Sequence, residues 1–171
     1  QQLAGALVRE LRGKLSNLVL VGMPGSGKSS LGKACAKLLG KRFVDMDDVL
    51  VERIGGPISS ILSQGNETPF RNLESAVAAE LGKENGQVIA TGGGAVLHEE
   101  NYAPLHQNGV IFWLRRDLDK LERDGRPLSR AGNLNAMYEM REKRYLRFAD
   151  YIIDNNRALE DTVEDIRKVI L

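Results

Sequence analysis

The chain has 171 residues, 42% of them hydrophobic and 27% charged, which suits a single globular domain with its own core. Its 24 basic and 23 acidic residues leave a formal charge of +1, so no overall field favours nucleic acid or a membrane surface, and any anion must be recognised locally. A lone Cys35 excludes an internal disulfide framework, no stretch reaches the roughly 18 apolar residues of a membrane span, and the start lacks a signal-peptide layout, so a cytoplasmic protein is expected.

In chain order, residues 1–16 read as an N-terminal helical extension, with Leu3, Leu7, Val8 and Leu11 on one face. The chain opens on Gln1 without a methionine, which fits a processed chain or a remnant of a longer one. Residues 17–171 read as the domain proper. Short apolar runs predict strands at 17–22, 42–47, 87–91, 110–114 and 151–154. Between them, amphipathic spacing predicts a helix that Gly40 ends, then helices near 47–54, 68–82, 117–124, 134–149 and 159–170. Strands that alternate with helices, without hairpin signals, predict an α/β fold: a three-layer αβα sandwich around a five-stranded parallel sheet. The basic, glycine-containing segment 123–134 is the expected mobile lid.

The segment GMPGSGKSS, residues 22–30, satisfies the G-x-x-x-x-G-K-[ST] pattern, with a strand before it and a helix after it. Glycine lets backbone N–H groups converge on phosphate oxygens, and the following helix turns its positive end toward the same anion. Pro24, Gly25, Ser26, Gly27, Lys28, Ser29 and Ser30 are therefore the expected nucleotide-binding residues. Lys28 would neutralise the β and γ phosphates, and the Ser29 hydroxyl would ligate Mg²⁺.

At the end of the second strand, Asp45 and Asp47 would point the same way along an extended chain, toward whatever sits beside the phosphates. One would order Mg²⁺ through water and the other would take a hydrogen bond or proton from a hydroxyl acceptor. Asp48 reads as a cap of the next helix. The run TGGGAV at 91–96 reads equally as a close backbone approach to a ligand or as a plain flexible turn. His98 and His106 show no metal-ligand spacing with Cys35, and Trp113 reads as core.

The segments GMPGSGKSS, FVDMDD, ETPFRNLE, ATGGGAV, RPL and REKRYLRFAD occur in the order and approximate spacing of the shikimate kinase family, which this chain resembles over about residues 17–170. The resemblance implies a small P-loop kinase that transfers the γ-phosphate of ATP to the 3-hydroxyl of shikimate, with ATP as co-substrate and Mg²⁺ as cofactor. It implies Asp45 in the Mg²⁺ shell and Asp47 as shikimate ligand and candidate base. It further implies Arg71, Gly92, Gly93, Gly94 and Arg141 around shikimate, Arg126 in the lid as a catalytic cation, and Arg123 beside adenine. A monomer is expected, with a fused or associated pathway domain compatible with the N-terminus. Arginines at 71 and 141 suit a carboxylate, and Asp47 suits ring hydroxyls.

The chain departs from the family pattern in its short lid, with only Asp124 and Gly125 between Arg123 and Arg126. It also departs at Lys143 and Arg144, at Asn66 before Glu67, and at Glu160 near the last strand. Two other readings share the phosphate loop: a kinase for another small hydroxylated acceptor such as gluconate or a nucleoside monophosphate, and a non-catalytic nucleotide-binding domain. The first does not call for Asp47, Arg71 and Arg141 together, and the presence of Asp45, Asp47 and Arg126 argues against the second.

Overall fold

The computed structural model describes residues 2–121 and 131–171. Helix α1 (Gln2–Leu15) leads into strand β1 (Asn17–Val21), whose five residues are all buried. Strands β2 (Arg42–Asp45), β3 (Gln87–Ala90), β4 (Gly109–Arg115) and β5 (Tyr151–Asp154) join β1 in one parallel sheet of order β2-β3-β1-β4-β5. The crossovers are α2 (Lys28–Leu39), α3 (Met46–Ile54), α4 (Ile58–Leu62), α5 (Glu67–Lys83), α6 (Tyr102–Gln107) and α7 (Ala131–Phe148), and α8 (Leu159–Ile170) closes the chain.

A strand buried on both faces must be apolar at successive positions, and β1 sends alternate residues to two separate cores. Val19 and Val21 join Ile89, Ile111, Trp113, Phe70, Val77 and Phe148 beneath α3, α5, α6 and α7. Leu18 and Leu20 join Val88, Phe112, Leu114, Ile153, Leu31 and Ile166 beneath α2 and α8. Each fully buried Leu, Ile or Phe among them contributes about 1.5–3 kcal/mol relative to exposure. The result is the expected αβα sandwich, and it holds the carboxyl ends of β1, β2 and β3 at one edge. Trp113 is core, as expected, and stacks on Tyr145 with ring centroids 5.6 Å apart. Among the described residues no helix is long and apolar enough to cross a membrane.

The α1 helix is tied to the sheet at its C-terminal end, where Lys41 Nζ donates to the carbonyls of Lys14 and Ser16 at 2.9 and 2.6 Å. Leu3, Leu7, Val8 and Leu11 on that helix are exposed.

Four sequence expectations are corrected. The second strand stops at Asp45 and not at 47, because the Asp45 carboxylate accepts from Asp47 N at 2.9 Å and starts α3 at Met46. The cap is therefore Asp45, and Asp48 sits inside the first turn. The helix expected at 117–124 is, over its described part, a single 3₁₀ turn at Leu118–Lys120. Asp117 N is held by Asn156 Oδ1 at 2.9 Å, and Leu121 is already extended, so the turn does not propagate through 121. Helix α7 starts at Ala131, three residues earlier than its periodicity indicates. Of the lid expected at 123–134, residues 123–130, with Arg123 and Arg126, lie outside the described residues, and 131–134 belong to α7.

Candidate active site

The phosphate loop leaves β1 and folds back over the N-terminus of α2. Gly25 and Gly27 have φ of +77° and +92°, a region that residues with a Cβ rarely enter, so the loop path requires glycine at both. Gly27 is the N-cap of α2, which places Lys28, Ser29 and Ser30 in the first helical turn with N–H groups unused by the helix itself. Lys28 is largely buried, and its ammonium donates to the carbonyls of Gly22 and Met23, both at 2.9 Å, and lies 3.5 Å from Ser26 Oγ. A desolvated cation held by the loop itself is a fixed positive charge beside the N–H groups.

Across from the loop, Ser29 Oγ donates to Asp45 Oδ2 at 2.5 Å. The two residues come from α2 and the end of β2, so adjacent elements of the sheet edge bring a hydroxyl and a carboxylate together. Both are hard oxygen donors of the kind Mg²⁺ takes, with room left for water and phosphate ligands. Among the described residues no group of three or more His, Cys, Asp or Glu side chains could hold a metal. The donor set thus fits an ion that completes its shell from a nucleotide and water.

Gly25, Gly27, Lys28, Ser29, Ser30, Asp45, Asp47, Asp48, Thr91 and Gly93 line one cleft of about 380 Å³. Most of the residues expected to bind nucleotide and metal therefore share a cavity. Pro24 packs against Gly93, where a Cβ would stand 2.7 Å from the proline ring carbons.

The glycine turn after β3 is where the second group of residues meets. A Cβ on Gly92 would lie 2.9 Å from Asp47 Oδ1 and 3.0 Å from Glu74 Oε2, and one on Gly94 would lie 2.6 Å from Arg71 Nη1. Side chains of α3 and α5 thus approach the triplet closely. Arg71 Nη1 donates to Glu74 Oε1 at 2.8 Å, with Glu67 at 3.7 Å from Nη2, and Glu74 is only 1% exposed. Arg71 also lies over the Phe70 ring at 5.2 Å.

On α7, Tyr145 donates its hydroxyl to the Gly93 carbonyl at 2.8 Å, and Arg141 is buried one turn earlier. Burial pushes the Tyr145 hydroxyl up to about 12, while the Arg141 guanidinium, close enough to hydrogen-bond it, acts in the opposite direction. Arg71 and Arg141 thus both reach the 92–94 turn, Arg71 directly and Arg141 through Tyr145. The Nε atoms of both arginines are buried without a hydrogen-bond partner, which is costly for a guanidinium unless an anion completes the site.

Sequence reasoning did not single out Glu74 or Asn155. Glu74 was legible only as an acid three residues after Arg71 on a helix. Asn155 is buried at the end of β5, and its Nδ2 donates to Ser26 O at 2.7 Å, bracing the phosphate loop from the far side.

A family model described as shikimate kinase matches residues 24–171. The shikimate kinase of Nitrosomonas europaea is 37% identical over 150 residues, covering 82% of this chain and 71% of that protein. One from Clostridium botulinum is 35% identical over 162 residues, covering 91% of this chain and 98% of its own. The solved structure of the shikimate kinase from Acinetobacter baumannii in complex with shikimate matches with a TM-score of 0.86 at 31% identity, covering 95% of this chain and 96% of that one.

Proposed function

The chain belongs to the shikimate kinase family, and on that premise we propose that it transfers the γ-phosphoryl group of ATP to the 3-hydroxyl of shikimate, giving shikimate 3-phosphate and ADP. The observation that carries this assignment is the convergence of Asp47, Arg71 and Pro24 of the loop on the 92–94 turn: a Cβ on Gly92 would stand 2.9 Å from Asp47 Oδ1, one on Gly94 2.6 Å from Arg71 Nη1 and one on Gly93 2.7 Å from the Pro24 ring carbons.

In this reading the loop N–H groups and Lys28 hold the β and γ phosphates in line with the acceptor. Arg71, aligned by Glu74, and Arg141 take the shikimate carboxylate, for which the planar guanidinium is suited. Their buried, unpartnered Nε atoms support an anionic group there. Asp47 accepts from the ring hydroxyls. As the 3-hydroxyl oxygen attacks the γ phosphorus, the bond to the β-γ bridging oxygen breaks, ADP leaves, and Asp47 takes the hydroxyl proton.

Ser29 would hold Mg²⁺ directly and Asp45 through water, and the ion would supply neutralising charge at the β and γ phosphates. Arg126 and Arg123 complete the proposal on sequence grounds alone, Arg126 at the transferring phosphoryl group and Arg123 beside adenine. Phosphorus NMR of a reaction mixture, with the product's phosphate coupled to the ring proton at carbon 3, tests the assignment. A phosphorylated product at another position, or hydrolysis alone, contradicts it.

A further inference from the structure

Arg116 has no part in the mechanism above, yet it stands against the phosphate loop. It follows the last residue of β4, and the sheet order puts β4 and β5 on the side of β1 away from β3 and β2. Asp47 and Gly92 occupy the β2-β3 side. A triphosphate held over β1 with its γ end toward them must send its nucleoside half toward β4 and β5.

On that side the guanidinium of Arg116 is close to the loop's backbone: a Cβ on Gly27 would stand 3.6 Å from Nη1 and 2.8 Å from Asn155 Nδ2. The main chain beneath it is pinned. Asn155 N donates to Arg115 O at 2.9 Å, and Asp117 N donates to Asn156 Oδ1 at 2.9 Å. Arg116 therefore starts from a fixed point between two parallel strand ends, and little ordering cost attends its use.

The Arg116 guanidinium lacks a full set of protein partners among the described residues. Nε is buried without a hydrogen-bond partner, and among the described residues Arg116 has no ion pair. An arginine with a buried orphan N–H, set beside the glycine backbone proposed above to hold the triphosphate, is what a phosphate would satisfy.

We propose that Arg116 is a nucleotide-binding residue that donates to the α-phosphate of ATP and ADP from the nucleoside side of the loop. The inference rests on the ATP-binding part of the proposed function. A contact made equally before and during transfer strengthens binding without altering the chemical step.

Titration calorimetry with ATP, ADP and GTP, without shikimate, tests it on Arg116→Ala and Arg116→Lys. Arg116→Ala should weaken ATP and ADP by roughly tenfold or more, the loss of a charge-assisted contact. GTP should weaken by the same factor, since the base is not involved. Arg116→Lys should recover part of the loss by keeping the charge without the fork. Steady-state assays should show a raised KM for ATP with kcat and the KM for shikimate unchanged. Unchanged ATP affinity in Arg116→Ala overturns the proposal, and so does a loss confined to ATP with GTP spared, which would put the contact on the base. Thermal unfolding of the nucleotide-free variants separates a structural role. If Arg116→Ala does not fold, Arg116→Gln carries the same comparison. Because binding is read without an acceptor, a failed shikimate assay leaves this result interpretable.

Discussion

Arg71 lies so close to Gly94 that a methyl group on that glycine would stand 2.6 Å from Nη1 and 2.8 Å from Nη2. Gly94 itself has φ −97° and ψ 0°, which alanine tolerates, so backbone strain does not enter. Gly94→Ala should therefore fold normally and push the guanidinium off its position at the far end of a flexible side chain. The expected result is a KM for shikimate raised about tenfold, with the dissociation constant of ATP unchanged. Steady-state kinetics with each substrate varied in turn checks it.

Glu74 holds Arg71 from within the protein, at 2.8 Å and 1% exposure. Glu74→Gln keeps the shape and removes the charge that aligns the guanidinium. Stability should fall by about 1.5–3 kcal/mol, the range for a hydrogen bond to a charged group. The KM for shikimate should rise several-fold while that for ATP stays constant. Urea unfolding together with the two KM values distinguishes this from general damage, which would move both.

Asp47 is assigned as the group that receives the hydroxyl proton. Asp47→Asn retains the size and the hydrogen bond but cannot act as a base, so kcat should fall by about 10²- to 10⁴-fold. Calorimetric binding of ATP should be preserved. Unchanged turnover would remove Asp47 from that role.

Tyr145 sets an alkaline limit on stability. Its hydroxyl, with an ordinary value near 10, is pushed up to about 12 by burial, against the opposing pull of Arg141. The folded state holds this proton more tightly than the unfolded chain does. The contribution is therefore complete below about pH 10 and is lost as the pH rises through about 12, by about 2–3 kcal/mol in total. Cys35, buried and pushed up to about 12 from near 9, acts in the same direction from a lower starting pH. Unfolding free energies measured from pH 8 to 11.5 should decline more gently in Tyr145→Phe than in the parent, although the variant starts lower for want of the bond to Gly93.

Much of the fold was legible because its signals are local. Apolar runs set between helical repeats indicate a parallel sheet with both faces covered, and β1 shows the double burial directly. The phosphate loop was legible because the pattern names backbone geometry, and Gly25 and Gly27 adopt the left-handed angles it needs. The end of β2 was not, because strand alternation and helix capping compete over the same aspartates, and capping by Asp45 prevails. Helices α4 and α6, of five and six residues, are too short to show a period. Glu74 and Asn155 acquire meaning only from partners across space, Glu74 against Gly92 and Asn155 against the phosphate loop. Arg116 is hidden for the same reason: its place beside Gly27 depends on the register of β4 with β5 and β1.

The central claim is tested most directly by ADP release from Mg-ATP in a coupled assay, with shikimate, gluconate, nucleoside monophosphates and no acceptor run in parallel. The account predicts strong stimulation by shikimate alone. A flat response to shikimate from protein that demonstrably binds ATP, or equal stimulation by gluconate or a nucleoside monophosphate, would contradict it.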